Sequence, residues 1–73
     1  MKLPLLSAKE VVKFLAKNGF GFEGQVGSHM KLKDEKGHVV TVPAYSEIPV
    51  SVLLNILKQA GLKREDLEKY LRG

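Results

Sequence analysis

The sequence predicts an α+β fold that runs helix, three antiparallel strands, helix, short helix, with the helices on one face of the sheet. Three observations carry this expectation. A capped run of apolar residues at helical spacing opens the chain, and apolar and polar residues alternate from Phe20 to Val42 between glycine-bearing breaks. A second helical stripe then ends on Gly61. The chain has 73 residues, and charged and apolar residues are mixed along its whole length. A single domain spanning 1–73 is therefore expected, since so short a chain leaves no room for a second core.

The elements follow in order. Ser7-Ala8-Lys9-Glu10 has the form of a capping box, a serine N-cap with a glutamate three residues on. Ala8, Val11, Val12 and Leu15 then share one helical face, and Asn18-Gly19 supplies the stop. Phe20-Gly21-Phe22-Glu23-Gly24-Gln25-Val26 alternates with period two and reads as a strand, with Phe20 and Phe22 as core residues. Gly27 breaks it. Residues 28–33 alternate again, so Met30 and Leu32 point one way while His29, Lys31 and Lys33 point the other. Asp34-Glu35-Lys36-Gly37 reads as a hairpin turn, and His38 to Val42 as a β-branched third strand ended by Pro43.

After a connector, a second helix is expected to begin near Pro49, a residue well tolerated in a first turn. Val50, Leu53, Ile56, Leu57 and Ala60 form its buried stripe. A short third helix spans 63–71, with Leu67, Tyr70 and Leu71 as apolar contacts. Both main helices must cover the same sheet face, because a three-stranded sheet needs one packed face and leaves the other open. This α-β-β-β-α(-α) order is that of the double-stranded-RNA-binding-domain fold.

Composition narrows the setting. No cysteine is present, which fits a reducing compartment, and no stretch is apolar for long enough to span a bilayer. The opening Met1 to Leu6 begins like a signal peptide, but charge and a helix cap follow at once, so a cytoplasmic location without a membrane partner is expected. Residues 1–33 carry six lysines against two glutamates, whereas residues 34–73 balance six basic against six acidic side chains. The net charge of +4 thus sits in the first half, which suits a polyanion on one face.

His29 is the position that chemistry singles out. If Met30 and Leu32 face the core, His29 lies on the open face with Lys31 and Lys33. An imidazole there can take a proton from a ribose 2′-hydroxyl or give one to a leaving 5′-oxygen. The lysines would hold phosphate and offset the charge of the transition state, and Gly27 would let the backbone approach a sugar-phosphate chain. The same pattern also suits a plain solvated strand face. His38 is a second proton-transfer candidate or a strand-end surface residue. Lys9, Lys13 and Lys17 recur every fourth residue and suit either phosphate contact or the wet face of a helix. No metal-ligand spacing and no glycine-rich phosphate loop is found, so neither a metal nor a small-molecule cofactor is expected. Val52 and Leu54 widen the apolar face of the second helix, which invites a partner surface.

Over nearly its full length the sequence resembles the HicA family, also called YcfA-like proteins. The resemblance rests on Lys17-Asn18-Gly19-Phe20 ending the first helix, Gly27-Ser28-His29, Val-Val-Thr-Val-Pro at 39–43, Glu47-Ile48-Pro49, and Ile-Leu-Lys-Gln-Ala-Gly-Leu at 56–62. It implies a toxin of the double-stranded-RNA-binding-domain fold that cleaves mRNA without a metal and is neutralised by a HicB-type antitoxin. The family's essential histidine lands on His29, and the preceding glycine and serine land on Gly27 and Ser28. Two departures stand out. Ala44-Tyr45 occupies the place where many relatives carry a histidine, and Val50 and Leu54 replace two basic residues at the start of the second helix. Those replacements remove phosphate contacts and motivate an alternative, an RNA-binding module that no longer cleaves. A domain that binds only protein, through Val50, Val52 and Leu54, is a third reading.

Overall fold

The computed structural model describes residues 2–73. Its elements are α1 (Ala8–Lys17), β1 (Gly21–Val26), β2 (His29–Lys33), β3 (Val39–Pro43), α2 (Val50–Ala60) and α3 (Arg64–Arg72). The three strands form one antiparallel sheet in the order β1-β2-β3, and the fold is α+β as expected.

Local chemistry explains where the helices begin and end. The Ser7 hydroxyl accepts the Glu10 backbone N–H at 3.2 Å, and the Glu10 carboxylate accepts the Ser7 N–H at 3.0 Å. This reciprocal box satisfies two N–H groups that a bare helix start leaves unpaired. It also holds the Glu10 carboxyl below its ordinary value, chiefly through the backbone N–H of Ser7. At the far end of α2, Gly61 adopts the left-handed conformation at φ 70° and donates to the Leu57 and Lys58 carbonyls.

The core lies between the helices and one face of the sheet. Leu32, Val40 and Val42 from the strands meet Val11, Leu15, Leu53 and Ile56 from α1 and α2. Both main helices pack principally against β3. Two findings go beyond the sequence reading here. Phe14, which the apolar stripe of α1 omits, is among the most fully buried side chains, and its ring meets Tyr70 of α3 edge-on at 5.2 Å. Leu3 and Leu6 are also buried, and Leu6 bridges to Ile48, whose N–H donates to the Leu6 carbonyl at 2.7 Å.

Strand boundaries move by a residue. Ser28 belongs to the β1–β2 turn and His38 to the link that precedes β3, and Pro43 is the last residue of β3, not its terminator. Phe22 was expected in the core but is 57% exposed. Its cross-strand partner is the buried Leu32, so it is on the helix side of the sheet, yet β1 is an edge strand and extends beyond what the helices cover. The wide apolar face expected on α2 is also narrower. Val50 and Val52 pack against the chain's own core, and of the three residues only Leu54 remains exposed.

Candidate active site

The open face of the sheet is set by the register. Val26, His29 and Pro43 form one cross-strand row, Gly24, Lys31 and Thr41 the next, and Gly21, Lys33 and Val39 the third. Met30 and Leu32 turn to the helices, as expected from parity, with Met30 half-buried and Leu32 buried. His29 is exposed, and among the described residues nothing hydrogen-bonds its imidazole, so both ring nitrogens are available to a ligand.

The turn that delivers His29 is tightly held. Gly27 has φ +59° and Ser28 a negative φ, the type II′ pattern that suits a two-residue hairpin. A Cβ at Gly27 would meet nothing, so the demand for glycine comes from the backbone angle alone. The Gln25 side-chain amide donates to the Gly27 carbonyl at 3.0 Å, and Ala44 N–H donates to the Ser28 carbonyl at 2.6 Å. Gly27 and Ser28 therefore position His29 through the backbone.

A β-bulge shapes the wall opposite. Between the pairs Phe22–Leu32 and Gly24–Lys31, β1 advances two residues while β2 advances one, and Glu23 is the extra residue. Bulges bend a strand and redirect its side chains. The unbroken alternation expected for β1 is therefore corrected: beyond the bulge the parity reverses, and Val26, 84% exposed, joins the face of His29. The result is a shallow depression of about 420 Å³ lined by Glu23, Gln25, Val26, His29, Lys31 and Thr41, with Gly24 in its wall. Of the predicted site residues, His29 and Lys31 meet there. Lys33 lies outside it, about 13 Å beyond His29 along the strand by the usual rise per residue. Among the described residues, no three His, Asp or Glu side chains gather so that they could hold a metal ion.

His38 is not part of this arrangement. It follows the β2–β3 turn at the opposite end of the sheet, where its Nδ1 lies 2.8 Å from Asp34 Oδ2 and its Nε2 faces Gly61. Burial pushes the Asp34 carboxyl up, but hydrogen bonds from the His38 ring and backbone and from Lys36 N–H outweigh it and leave the group below its ordinary value. His38 thus docks the turn onto the end of α2. Lys9, Lys13 and Lys17 are exposed on α1, whose apolar side packs beneath the sheet, so the stripe faces away from His29.

No helix among the described residues is long and apolar enough to cross a membrane. A search among curated proteins returns no match. A family model for the HicA toxin of bacterial toxin–antitoxin systems matches residues 8–62. That stretch takes in α1, the whole sheet with His29 on its open face, and α2, and the chain belongs to the HicA toxin family.

Proposed function

We propose that this chain is a toxin that cleaves mRNA by metal-independent transesterification, with His29 as its proton-transfer group and a HicB-type antitoxin as its inhibitor in the cytoplasm. The observation that carries this reading is the placement of an unengaged imidazole and a lysine in one open-face depression, at the end of a strand whose register is locked by the core. His29 takes a proton from the ribose 2′-hydroxyl or gives one to the departing 5′-oxygen. Lys31 offsets charge on the phosphate in flight, and Lys33 holds the chain further along. The products are a 2′,3′-cyclic phosphate and a 5′-hydroxyl. An inhibitor acting at this site covers the open face around Val26, His29 and Lys31, which are exposed.

The test is cleavage of an end-labelled mRNA in excess EDTA by the wild type and by His29→Ala, with the new ends identified. Cutting by the wild type alone, leaving cyclic phosphate ends, supports the reading. Cutting that leaves 5′-phosphate ends refutes the mechanism. Failure of both proteins to cut while both bind RNA points to the binding module, the reading favoured by Val50 and Leu54 in place of basic residues.

A further inference from the structure

We propose that Glu23 is the second proton-transfer group of the His29 site. It is the base that removes the 2′-hydroxyl proton while His29 protonates the leaving 5′-oxygen. The assignment rests on the ribonuclease reading above and adds to it a carboxylate of the edge strand β1. Counted back from the hairpin pair Val26–His29, an unbulged ladder would set Glu23 opposite Leu32 on the helix side. The extra residue between Phe22 and Gly24 instead brings Glu23 beside Lys31 on the open face, where it lines the same depression as His29. Its carboxylate is exposed, and among the described residues it makes no hydrogen bond or ion pair, so it is not committed to a structural role. An edge-strand bulge that sets a carboxylate in the same depression as a histidine is the kind of local irregularity found beside active sites.

The chemistry needs two such groups. In one step the 2′-O–H bond breaks and its proton passes to the Glu23 carboxylate, while the 2′-oxygen bonds to phosphorus. The bond from phosphorus to the 5′-oxygen breaks with its electron pair on that oxygen, which takes the proton of the His29 imidazolium. Exchange of one proton each with water restores the carboxylate and the imidazolium. A lone imidazole holds one protonation state at a time and serves only one end of this transfer. The charged neighbours on the face are Lys31 and Lys33 of β2; β3 contributes Val39, Thr41 and Pro43, none of which titrates, and β1 contributes no other ionisable group. Activity should therefore follow a bell, its acid limb set by the need for the Glu23 carboxylate and its alkaline limb by the need for the His29 imidazolium.

The experiment is single-turnover cleavage of a labelled RNA in EDTA between pH 4 and 9 by wild type, His29→Ala, Glu23→Gln and Glu23→Asp, with binding measured on the uncleavable 2′-O-methyl RNA. Glu23→Gln should lower the rate by about 100-fold or more and flatten the acid limb, with partial recovery in Glu23→Asp. Its binding should be unchanged or tighter, because a charge that repels phosphate is gone, and intact binding also reports a folded protein. Wild-type rate and an unchanged acid limb in Glu23→Gln, with His29→Ala inactive, overturn the role of Glu23 alone. No cleavage by the wild type overturns it together with the ribonuclease reading.

Discussion

Replacing Gly61 by alanine tests how α2 is joined to the β2–β3 turn. Gly61 sits at φ +70°, and an L-residue in the left-handed region costs roughly 1–2 kcal/mol. A Cβ there would also lie 2.8 Å from His38 Nε2, so the ring tip must retreat by about 0.6 Å to reach ordinary contact near 3.4 Å. The ring is not free to do so, since its Nδ1 is held by Asp34 at 2.8 Å. Straining it off its rotamer costs on the order of 1 kcal/mol. Alanine returns roughly 0.4–1 kcal/mol by stiffening the unfolded chain. Gly61→Ala should therefore lose about 2 kcal/mol net. Gly27→Ala, with φ +59° and open space around its Cβ, should lose about 1 kcal/mol. By the usual scaling for a domain this small, the two melting temperatures should fall by roughly 8–16 °C and 4–8 °C. The assay is urea and thermal denaturation followed by circular dichroism, repeated in a His38→Ala background, where the clash is absent. The reasoning is refuted if Gly61→Ala costs no more than Gly27→Ala, or if its excess cost persists without the imidazole.

Three further outcomes follow from the same geometry. Phe14→Ala, which empties a fully buried site and removes the Tyr70 ring contact, should cost about 3–5 kcal/mol, whereas Phe22→Ala at the exposed edge should cost less than about 1 kcal/mol in the same denaturation assay. Ser7→Ala should cost about 1 kcal/mol through loss of the cap, with helical signal lost in proportion to α1 fraying. The carboxyls of Glu10 and Asp34 are both held low in the folded protein, so the stability they contribute is fully present above their unfolded values and is lost as pH falls through their folded ones. The urea midpoint should be level above pH ~5 and decline below ~4, and the decline should be shallower in Glu10→Gln/Asp34→Asn.

Much of the frame is legible in the residues because its causes are local. The Ser7–Glu10 box and the Gly61 stop each declare themselves within a few positions, and strand parity alone places His29 opposite Leu32. What escapes the sequence depends on distant partners. Phe14 is buried because Tyr70, 56 positions later, closes over it. Phe22 looks like core because it alternates, but local pattern does not reveal how far the helices extend across the sheet. The bulge at Glu23 is the costliest omission, since Phe22-Glu23-Gly24-Gln25 satisfies a regular strand equally well. Only the opposing register of β2 shows that one residue is extra. The isolated Gly24 is the sole local hint, as glycine within a strand often marks such a site.

The two walls of the depression have unequal lifetimes. β2 is paired on both sides and anchored by Leu32, so its amides are released only when the whole domain opens. β1 is held by one ladder, carries an interruption in that ladder, and has little helix cover, so it can peel away while the rest of the molecule stands. The half of the site that bears Glu23 and Val26 is thus expected to open more readily than the rest, and anything that lies across both strands should draw free energy from closing it. Amide exchange in residues 23–26 should slow on RNA or inhibitor binding while the α2 core keeps its rate, so the seating of a ligand becomes readable as the stiffening of one edge.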